Sequence, residues 1–582
     1  MFKLFRKLNV KEYMLIIVIM VLIFGQVFLD LKMPDYMAEI TRLIQSNGAE
    51  IGGVLNNGLY MMLCAFGSLI LSIGIGYLVA YVSSIFSRNI RKDLFYKVGN
   101  LGMEEIKKFS TSSLITRMTN DITQIEMFMG MGMIALMKAP LTAFWAISKI
   151  LNKGFQWTVA TGVGVTIVFT TVTLLIVIVI PKFKIVQDLT DKINGITREH
   201  IMGIRVVRAF NAEKYQKQKF EEVNNDLTKL QMFNQKSFAI LNPIMMLVMY
   251  VLTLVIYIIG VNLIEGTTLS GKIAIFGNMI VFSAYAIQVI ISFLIMAFVM
   301  LLISRAQVSA RRINEVLSCD ISVISGIFDG KSSQIGEIEF KNVFFKYPKA
   351  DEYVLKDISF KINRGENVAF IGSTGSGKST LVNLICRFYD VSDGEILVDG
   401  IDVKEYELEK LYEKIGYISQ KPFIFEMSIK DNVKIGKNRG EISEKDVSDS
   451  LKIAQAKEFV EKMEEGYNSL LSRGGTNISG GQKQRISIAR AIAGKPEIYI
   501  FDDSFSALDF KTEANLKREL STFTKDSTVL EVASRIGSVM NSDKIIVLEN
   551  GRIVGMGKHD ELLDNCEVYQ EIAYSQLSKE EV

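Results

Sequence analysis

The sequence predicts a membrane all-α domain of six transmembrane helices fused to an α/β domain with a phosphate-binding loop. Two observations lead to this prediction. Residues 1 to 320 contain long runs without charged side chains, whereas residues 336 to 582 alternate short β-rich segments with turns and helices. In the second half, an apolar segment leads directly into the glycine-rich sequence Gly372-Ser-Thr-Gly-Ser-Gly-Lys-Ser-Thr380. We therefore place a membrane domain at 1–320 and a second domain at 336–582.

The composition agrees with membrane insertion and argues against nucleic acid as a partner. Of the 582 residues, 49% are hydrophobic, and the mean hydropathy is +0.26. Both values are high for a soluble protein. The net charge of +3 gives no basic excess for nucleic acid. The four cysteines are scattered, so we interpret them as reduced thiols. The two histidines, His200 and His559, are too few to form a metal cluster by themselves.

Apolar segments of suitable length predict the membrane helices. A helix needs roughly 20 apolar residues to cross about 30 Å of hydrocarbon. Five segments qualify or nearly qualify: Tyr13–Leu29, Ile51–Ser87, Trp157–Ile180, Ser237–Ile264 and Ile273–Ser304. A sixth, from Ala139 to Gly154, is interrupted by Lys149 and Lys153. It is either a short span with snorkelling lysines at its ends or no span. We favour the span, because six crossings leave the N-terminus and the second domain on one side.

Basic residues predict that this side is the cytoplasm. Segments 88–126 and 182–236 are rich in Lys and Arg, whereas the opposite loops carry few, namely Lys32 and Arg42 in one and Lys272 in another. Positive residues favour the cytoplasmic side of a membrane. The basic segments are too long for simple turns, so we expect them to continue the spans as helices. The sequence therefore predicts a multi-pass protein of the cell membrane with a cytoplasmic N-terminus and second domain.

Two sets of residues in the membrane half have two interpretations each. The polar residues Asn278, Ser283, Gln288 and Ser292 drift around one helix, which favours helix–helix packing over the lining of a translocation cavity. The methionines at 127, 129, 131, 133 and 137 could form an adaptable binding surface. Their alternating spacing does not fit one helix face, so packing is again favoured.

The glycine-rich sequence has the chemistry of a nucleotide-phosphate loop. The apolar strand Val368–Ile371 precedes it and a helix-forming segment follows, which is the context that this motif requires. Its backbone N–H groups surround phosphates at a helix N-terminus, Lys378 reaches the β and γ oxygens, and Ser379 binds Mg²⁺. Asp502 ends a buried strand and suits an acidic group that holds Mg²⁺ through water. The predicted ATP-binding residues of the loop are Gly372, Ser373, Thr374, Gly375, Ser376, Gly377, Lys378, Ser379 and Thr380.

Four further landmarks occur in a fixed order: Tyr347, Gln420, Ser479-Gly480-Gly481-Gln482 and Ser506-Ala507-Leu508-Asp509. With the loop and Asp502, they resemble the ATP-binding-cassette exporters over the whole chain. The resemblance implies that Tyr347 stacks on adenine and that Gln420 senses Mg²⁺ and the membrane domain. It implies that Ser479 to Gln482 contact the γ-phosphate across a dimer interface, and that Asp509 belongs to the loop linking two ATP sites. Taken alone, Tyr347 would be an ordinary aromatic residue at a strand end.

Two positions depart from the pattern of this family. Asp503 stands where the family carries a Glu that polarises the attacking water, and Ser534 stands where it carries a His that contacts the γ-phosphate. Withdrawing a carboxylate by roughly 1 Å can cost about 10²-fold in rate. Loss of one stabilising donor typically costs about 10²–10³-fold. The candidate catalytic residues Asp503, Ser534 and Gln420 therefore predict a site that binds ATP and Mg²⁺ but hydrolyses ATP poorly.

The resemblance and its departures imply the degenerate half of a heterodimeric bacterial multidrug exporter. Its partner would be a second half-transporter with the catalytic Glu and His intact. The spans contain few ionisable groups, so we expect a small amphipathic or hydrophobic compound to be exported across the lipid bilayer. Three alternatives stay open. The chain could form a slow homodimer that uses Asp503, it could be a lipid or peptide exporter half, or it could be a membrane protein gated by ATP without turnover.

Overall fold

The computed structural model describes residues 2–45, 51–151, 154–265, 267–435 and 441–576. It consists of two compact units. The first comprises Met1–Gly99 and Ser112–Ser318, and the second comprises Asn100–Thr111 and Cys319–Val582. The short segment Asn100–Thr111, which the sequence assigned to the membrane domain, therefore packs with the second unit. It contains the short helix Met103–Phe109.

Long helices make up the first unit. Among the described residues, six helices are long and apolar enough to cross a membrane. They are α1 (Val10–Gln45), α2 (Ile51–Gly99), α3 (Thr111–Leu151), α4 (Phe155–Met202), α5 (Glu213–Glu265) and α6 (Leu269–Leu317). With 49 residues, α2 extends about 74 Å, far more than the bilayer requires. The spans therefore continue as helices beyond the membrane. The short helices Phe2–Phe5 and Ile204–Ala209 complete this unit.

The structure confirms the uncertain sixth span and corrects two predicted loops. The segment with Lys149 belongs to α3, which includes two π-helical turns, Arg117–Asp121 and Phe128–Gly132, and Lys153 lies outside the described residues. The prediction that Lys32 and Arg42 lie in one outer loop and Lys272 in another is wrong, because α1 continues to Gln45 and α6 begins at Leu269. Pro34 lies inside α1 without ending it. Membrane helices tolerate proline because neighbouring helices and local adjustment satisfy the freed backbone groups.

Two β-sheets form the frame of the second unit. The strands are β1 (Ile338–Phe345), β2 (Leu355–Ile362), β3 (Asn367–Gly372), β4 (Asp393–Val398), β5 (Ile401–Asp402), β6 (Ile415–Ile418), β7 (Ile498–Asp502), β8 (Thr528–Val532), β9 (Lys544–Glu549) and β10 (Arg552–Gly557). An antiparallel sheet has the order β2-β1-β4-β5. The larger sheet has the order β10-β9-β3-β8-β7-β6, and all its pairs are parallel except β10 with β9.

The larger sheet separates two groups of helices. The helices are α7 (Lys378–Ile385), α8 (Leu408–Lys414), α9 (Ile429–Val433), α10 (Glu444–Ile453), α11 (Lys457–Glu461), α12 (Gly480–Ala493), α13 (Phe510–Phe523), α14 (Ile536–Val539), α15 (His559–Asn565) and α16 (Glu567–Gln576). Leu381 and Leu384 of α7 pack in one hydrophobic core with both sheets. Ile486 and Ile488 of α12 pack in another core with α13. The parallel strands are buried on both faces, as parallel sheets generally are.

A buried lysine connects the two sheets. Lys414, at the end of α8, lies 2.8 Å from Asp399 and 2.8 Å from Glu497. The Asp399 side chain is fully buried and follows β4, whereas Glu497 precedes β7. Burial of charges is tolerated here because each charge has a partner. Lys414 therefore holds α8 against both sheets.

We expect Lys414→Met to lower the free energy of unfolding of the second unit by about 3 kcal/mol, because it leaves the buried Asp399 carboxylate without its cation. Thermal melting of the purified full chain in detergent measures the loss. Lys410→Met is the matched control, since Lys410 forms an exposed pair with Glu413 on the same helix. Exposed pairs contribute about 1 kcal/mol or less. Equal melting temperatures for the two variants would contradict the importance of the buried pair.

Candidate functional site

The carboxyl ends of four parallel strands meet at one edge of the larger sheet. Strands β3, β8, β7 and β6 are neighbours in that order and run in the same direction. Ligands of open α/β sheets bind beyond the carboxyl ends of such strands. The residues that follow these strands are those the sequence singled out: the loop 372–380 after β3, Ser534 after β8, Asp503 after β7 and Gln420 after β6.

The backbone of the phosphate-binding loop adopts, at Gly372, a conformation that glycine allows. Gly372 has a φ of 152°, and a Cβ atom there would lie 2.0 Å from the carbonyl oxygen of Leu548. Lys378 begins α7, and its Nζ donates to the carbonyl oxygens of Gly372 and Ser373, each at 2.8 Å. Burial lowers the pKa of Lys378, and the charges of Asp503 and Asp502 oppose that shift. The ammonium group is therefore held against the loop, where this motif binds phosphate oxygens.

A hydroxyl and a carboxylate converge beside the loop. Ser379 Oγ donates to Asp502 Oδ1 at 2.8 Å, and the Tyr417 hydroxyl donates to Asp502 Oδ2 at 3.3 Å. Burial raises the pKa of Asp502, while the hydrogen bonds from Ser379 and Tyr417 lower it. Oxygen donors of these types suit Mg²⁺, which keeps several of its waters and takes one or two protein oxygens. The residues present thus fit a magnesium ion, with Ser379 and Asp502 as its donors. Tyr417 was not predicted, because a single tyrosine within a strand carries no signal of its own.

The three candidate catalytic residues lie together. Asp503 follows β7 with a φ of 48°, and its carboxylate accepts hydrogen bonds from Gln420 Nε2 at 3.0 Å and from Ser534 Oγ at 3.4 Å. Gln420 thus contacts Asp503, and its predicted role as a ligand of Mg²⁺ stays a prediction. Ser534 is uncharged, and its hydroxyl donates to the neighbouring Asp503 carboxylate. Asp503, with its short side chain, therefore accepts hydrogen bonds from two uncharged donors.

Aromatic rings surround the predicted adenine platform. The Tyr347 ring packs edge-on against Phe345 and Tyr389, and its hydroxyl lies 3.0 Å from Thr380 Oγ1 at the start of α7. Lys107, from the short helix Met103–Phe109, places its Nζ 5.0 Å from the Tyr347 ring centroid. A cation at this distance is attracted to the ring face. Neither Lys107 nor Tyr389 was predicted to lie here, because both are far from Tyr347 along the chain.

The signature segment begins a helix in a different core. Ser479 caps α12: its Oγ accepts from the Gln482 backbone N–H at 3.3 Å, and its own backbone N–H donates to Gln482 Oε1 at 2.8 Å. A Cβ atom at Gly480 would meet no atom within 4 Å, whereas one at Gly481 would lie 3.2 Å from the Ala507 carbonyl oxygen. This reciprocal cap stabilises a helix N-terminus, which is an anion-binding element. The side-chain bonds of Ser479 and Gln482 stay within this turn, away from the chain's own loop 372–380.

Asp509 has a structural role in the chain itself. Its side chain caps α13 by accepting a hydrogen bond of 3.0 Å from the Thr512 backbone N–H, and this bond lowers the pKa of Asp509. An aspartate at a helix N-cap is among the most stabilising choices. Its predicted part in nucleotide binding stays a prediction.

A large cavity lies among the membrane helices α1, α2, α3 and α6. Its volume is about 850 Å³, and four methionines, Met33, Met37, Met61 and Met131, contribute to its walls. Gln288 and Ser292 of α6 also line it. The half-buried Gln288 has a buried Oε1 atom with no hydrogen-bond partner among the described residues. Ser283, on the same helix, is not part of this lining.

Charged residues pair between these same helices. Lys138 of α3 lies 3.3 Å from Asp30 of α1, and both residues line the cavity. Lys149 of α3 lies 2.9 Å from Asp35, which also accepts a 2.9 Å hydrogen bond from the buried Tyr285 hydroxyl. We predicted that Lys149 snorkels at the end of a short span, whereas the structure pairs it with a carboxylate on a neighbouring helix. Pairing is how membrane helices accommodate ionisable groups.

Comparison with known families matches both units. Residues 16–293 match the family model described as ABC transporter transmembrane region, and residues 355–506 match the model described as ABC transporter. The second match includes the loop 372–380, the signature segment, Asp502 and Asp503.

Full-length relatives agree. An uncharacterised ABC transporter ATP-binding protein of Mycobacterium tuberculosis is 34% identical over 97% of this chain and 96% of its own length. A putative multidrug export ATP-binding/permease protein of Bacillus subtilis is 32% identical over 85% of this chain and 84% of its own. An ATP-dependent lipid A-core flippase of Wigglesworthia glossinidia brevipalpis is 30% identical, with coverages of 86% and 85%.

A solved structure has the same fold. A bacterial Atm1-family ABC exporter with ATP bound superposes with a TM-score of 0.80 over 98% of each chain, at 21% sequence identity. One identification follows from the two family models, from the relatives that match over nearly the whole length, and from this fold. The chain belongs to the ABC transporter family, as a multi-pass membrane protein with the fold of the ABC exporters and a cytoplasmic nucleotide-binding domain.

Proposed function

We propose that this chain is the half-transporter with the degenerate ATP site in a heterodimeric exporter of amphipathic or hydrophobic compounds. The observation that carries the proposal is the contrast between two adjacent residues. Asp502 is paired with Ser379 beside an intact phosphate loop, whereas Asp503 is short and is supported by the neutral Gln420 and Ser534. The first arrangement suits binding of ATP with Mg²⁺. The arrangement around Asp503 lacks the longer carboxylate side chain and the positively charged donor that fast hydrolysis requires.

The signature segment supports a dimer. Its capped helix presents open backbone at Gly480, but it packs in a different core from the helix α7 that follows the phosphate loop. In the proposed dimer, each chain brings its signature to the phosphate loop of the other. In the heterodimer, this chain's Ser479 to Gln482 would complete the ATP site of a partner that carries the intact Glu and His. The partner's site would then perform most of the hydrolysis.

The membrane cavity supports amphipathic cargo. Methionine side chains are flexible and polarisable, so a wall with Met33, Met37, Met61 and Met131 adapts to varied apolar surfaces. Gln288 and the pair of Lys138 with Asp30 add polar groups to the same wall. Ligand sites of this size combine apolar walls with a few polar groups that orient the ligand.

Lipid export is the second candidate. A separate cavity of about 390 Å³ between α4, α5 and α6 is lined, among the described residues, by apolar side chains alone, including Val172, Phe238 and Leu294. Such a wall suits an acyl chain. The relative described as a lipid A-core flippase supports the same candidate. Transport assays with a fluorescent lipid and with a soluble amphipathic dye distinguish the two candidates.

Restoring the catalytic pair tests the degenerate site. We expect Asp503→Glu with Ser534→His to raise hydrolysis at this site at least about 10-fold, and either single change to raise it less than about 3-fold. Water polarisation and γ-phosphate contact act as a unit, so their effects are not additive. Single-turnover hydrolysis by a heterodimer with its competent site disabled gives the measurement. No gain from the double change would mean that another element, such as the opposing signature, limits this site.

A charge at the signature tests the role of this segment in the partner's site. We expect Gly480→Glu to lower steady-state ATPase activity of the heterodimer more than 10-fold, because a carboxylate repels the γ-phosphate that the segment would bind. We expect the fold to be retained, because there is open space around Gly480 and because a negative charge is favourable at a helix N-terminus. Gly480→Ala is the control without charge. Asp503→Asn should cost much less, and equal losses for Gly480→Glu and Asp503→Asn would contradict the assignment.

Gln288, a polar residue that lines the membrane cavity, gives a test of cargo binding. We expect Gln288→Leu to weaken binding of an amphipathic dye with hydrogen-bond donors by about 2- to 10-fold, the value of one hydrogen bond. Fluorescence titration of the full chain in nanodiscs measures the affinity. Ser283→Ala is the matched control, because Ser283 Oγ is also buried and without a partner among the described residues, but lies outside the cavity lining. The same affinity for both variants would exclude Gln288 from the binding site.

A further inference from the structure

A buried glutamate lies behind the degenerate site. Glu531 belongs to β8, the strand between β3 and β7, and its side chain is 5% exposed. Leu530 and Val532 face the core that contains α7, whereas Glu531 and Val529 face the opposite side, toward α13. An acid in the interior of a parallel sheet is unusual, because such strands are normally apolar on both faces. Its presence calls for a physical reason.

The surroundings of Glu531 form a buried polar network. Lys517 of α13 donates to Glu531 Oε1 at 2.6 Å and to the Ser538 carbonyl oxygen at 2.7 Å. Ser538 Oγ in turn donates to Glu513 at 2.5 Å, and Arg535 lies 4.0 Å from Glu513. Burial raises the pKa of Glu531 to about 7, and Lys517 opposes the shift. The network therefore holds an acidic group with a raised pKa in the interior of the sheet.

A small cavity connects this network with Asp503. It has a volume of about 10 Å³, and its polar lining consists of Asp503, Ser506, Glu513, Glu531, Ser534, Arg535 and Ser538. That volume holds about one water molecule, and a buried water requires two to four polar partners. The carboxylates and hydroxyls of the lining supply them. Asp503 therefore faces Gln420 and Ser534 through direct hydrogen bonds and shares a water-sized space with Glu531.

We propose that Glu531 is a positioning residue of the degenerate site, which holds one water molecule in this cavity and through it fixes the orientation of the short Asp503 carboxylate. The inference rests on the proposed weak hydrolysis at the chain's own ATP site. A side chain that lacks one methylene and receives only two direct hydrogen bonds gains orientation from a third partner. Water-mediated bonds are nearly as favourable as direct ones. Residual hydrolysis at this site would then depend on Glu531 acting through Asp503.

A double-mutant cycle in the full chain, reconstituted in nanodiscs, tests the proposal. Hydrolysis of radiolabelled ATP is measured for Glu531→Leu, Glu531→Gln and Asp503→Asn, and for each Glu531 variant combined with Asp503→Asn. We expect Glu531→Leu to lower kcat about 10-fold with an unchanged KM for ATP. Glu531→Gln should stay within about 3-fold, because its amide still holds a water. In the Asp503→Asn background, neither change should have a further effect, because the interaction between Glu531 and Asp503 is already lost there.

Two outcomes would overturn the proposal. Equal losses from Glu531→Leu in both backgrounds would mean that Glu531 acts only on the fold. A high-resolution structure of the unmodified full chain provides a second measurement that needs no variant to fold. An ordered water within hydrogen-bond distance of Glu531 and Asp503 is expected, and a cavity closed to water would contradict it. Fast hydrolysis by the unmodified chain alone would instead reject the proposed degenerate function, while the cycle would still report whether Glu531 and Asp503 are coupled.

Discussion

Parallel pairing of β3, β8, β7 and β6 is the constraint on which the nucleotide site depends. Because these strands point the same way, their last residues and the turns that follow are brought to one edge. Residues 123 and 83 positions apart, Ser379 with Asp502 and Gln420 with Asp503, thereby come within hydrogen-bond distance. The buried cores on both faces fix the register of the strands, and Lys414 holds the antiparallel sheet against the same frame. A shift of one strand by one residue would separate Ser379 from Asp502.

In the proposed function, binding and hydrolysis at this edge depend on neighbouring but separable groups. Lys378, Ser379 and Asp502 are held by short hydrogen bonds that favour phosphate and magnesium. The next residue, Asp503, has a φ of 48° and accepts hydrogen bonds from the neutral Gln420 and Ser534. Binding energy that is equal in the ground state and the transition state does not accelerate a reaction. A site can therefore keep its affinity for ATP while its chemistry is slow, which suits a subunit that responds to ATP and leaves hydrolysis to a partner.

The membrane unit follows a different rule, because no water is present to solvate isolated charges. Lysines of α3 pair with aspartates of α1, and Tyr285 of α6 joins the second pair. These contacts connect three helices with polar bonds while leaving methionines and isoleucines to line the cavity beside them. The combination gives a cavity that is adaptable in shape yet fixed at a few polar points.

The sequence alone determined the two domains, the six spans, the phosphate loop and the order of the landmarks, because hydrophobic runs and glycine-rich loops are local patterns. It also identified Asp503 and Ser534 as departures, since each lies at a fixed position in a motif. Tertiary structure decided which groups meet. It paired Lys149 with Asp35, continued α1 through Lys32 and Arg42, and brought Lys107 and Tyr389 to Tyr347. It also placed Glu531 beside Asp503. Contacts between residues distant in sequence depend on strand order and helix packing, which no local pattern records.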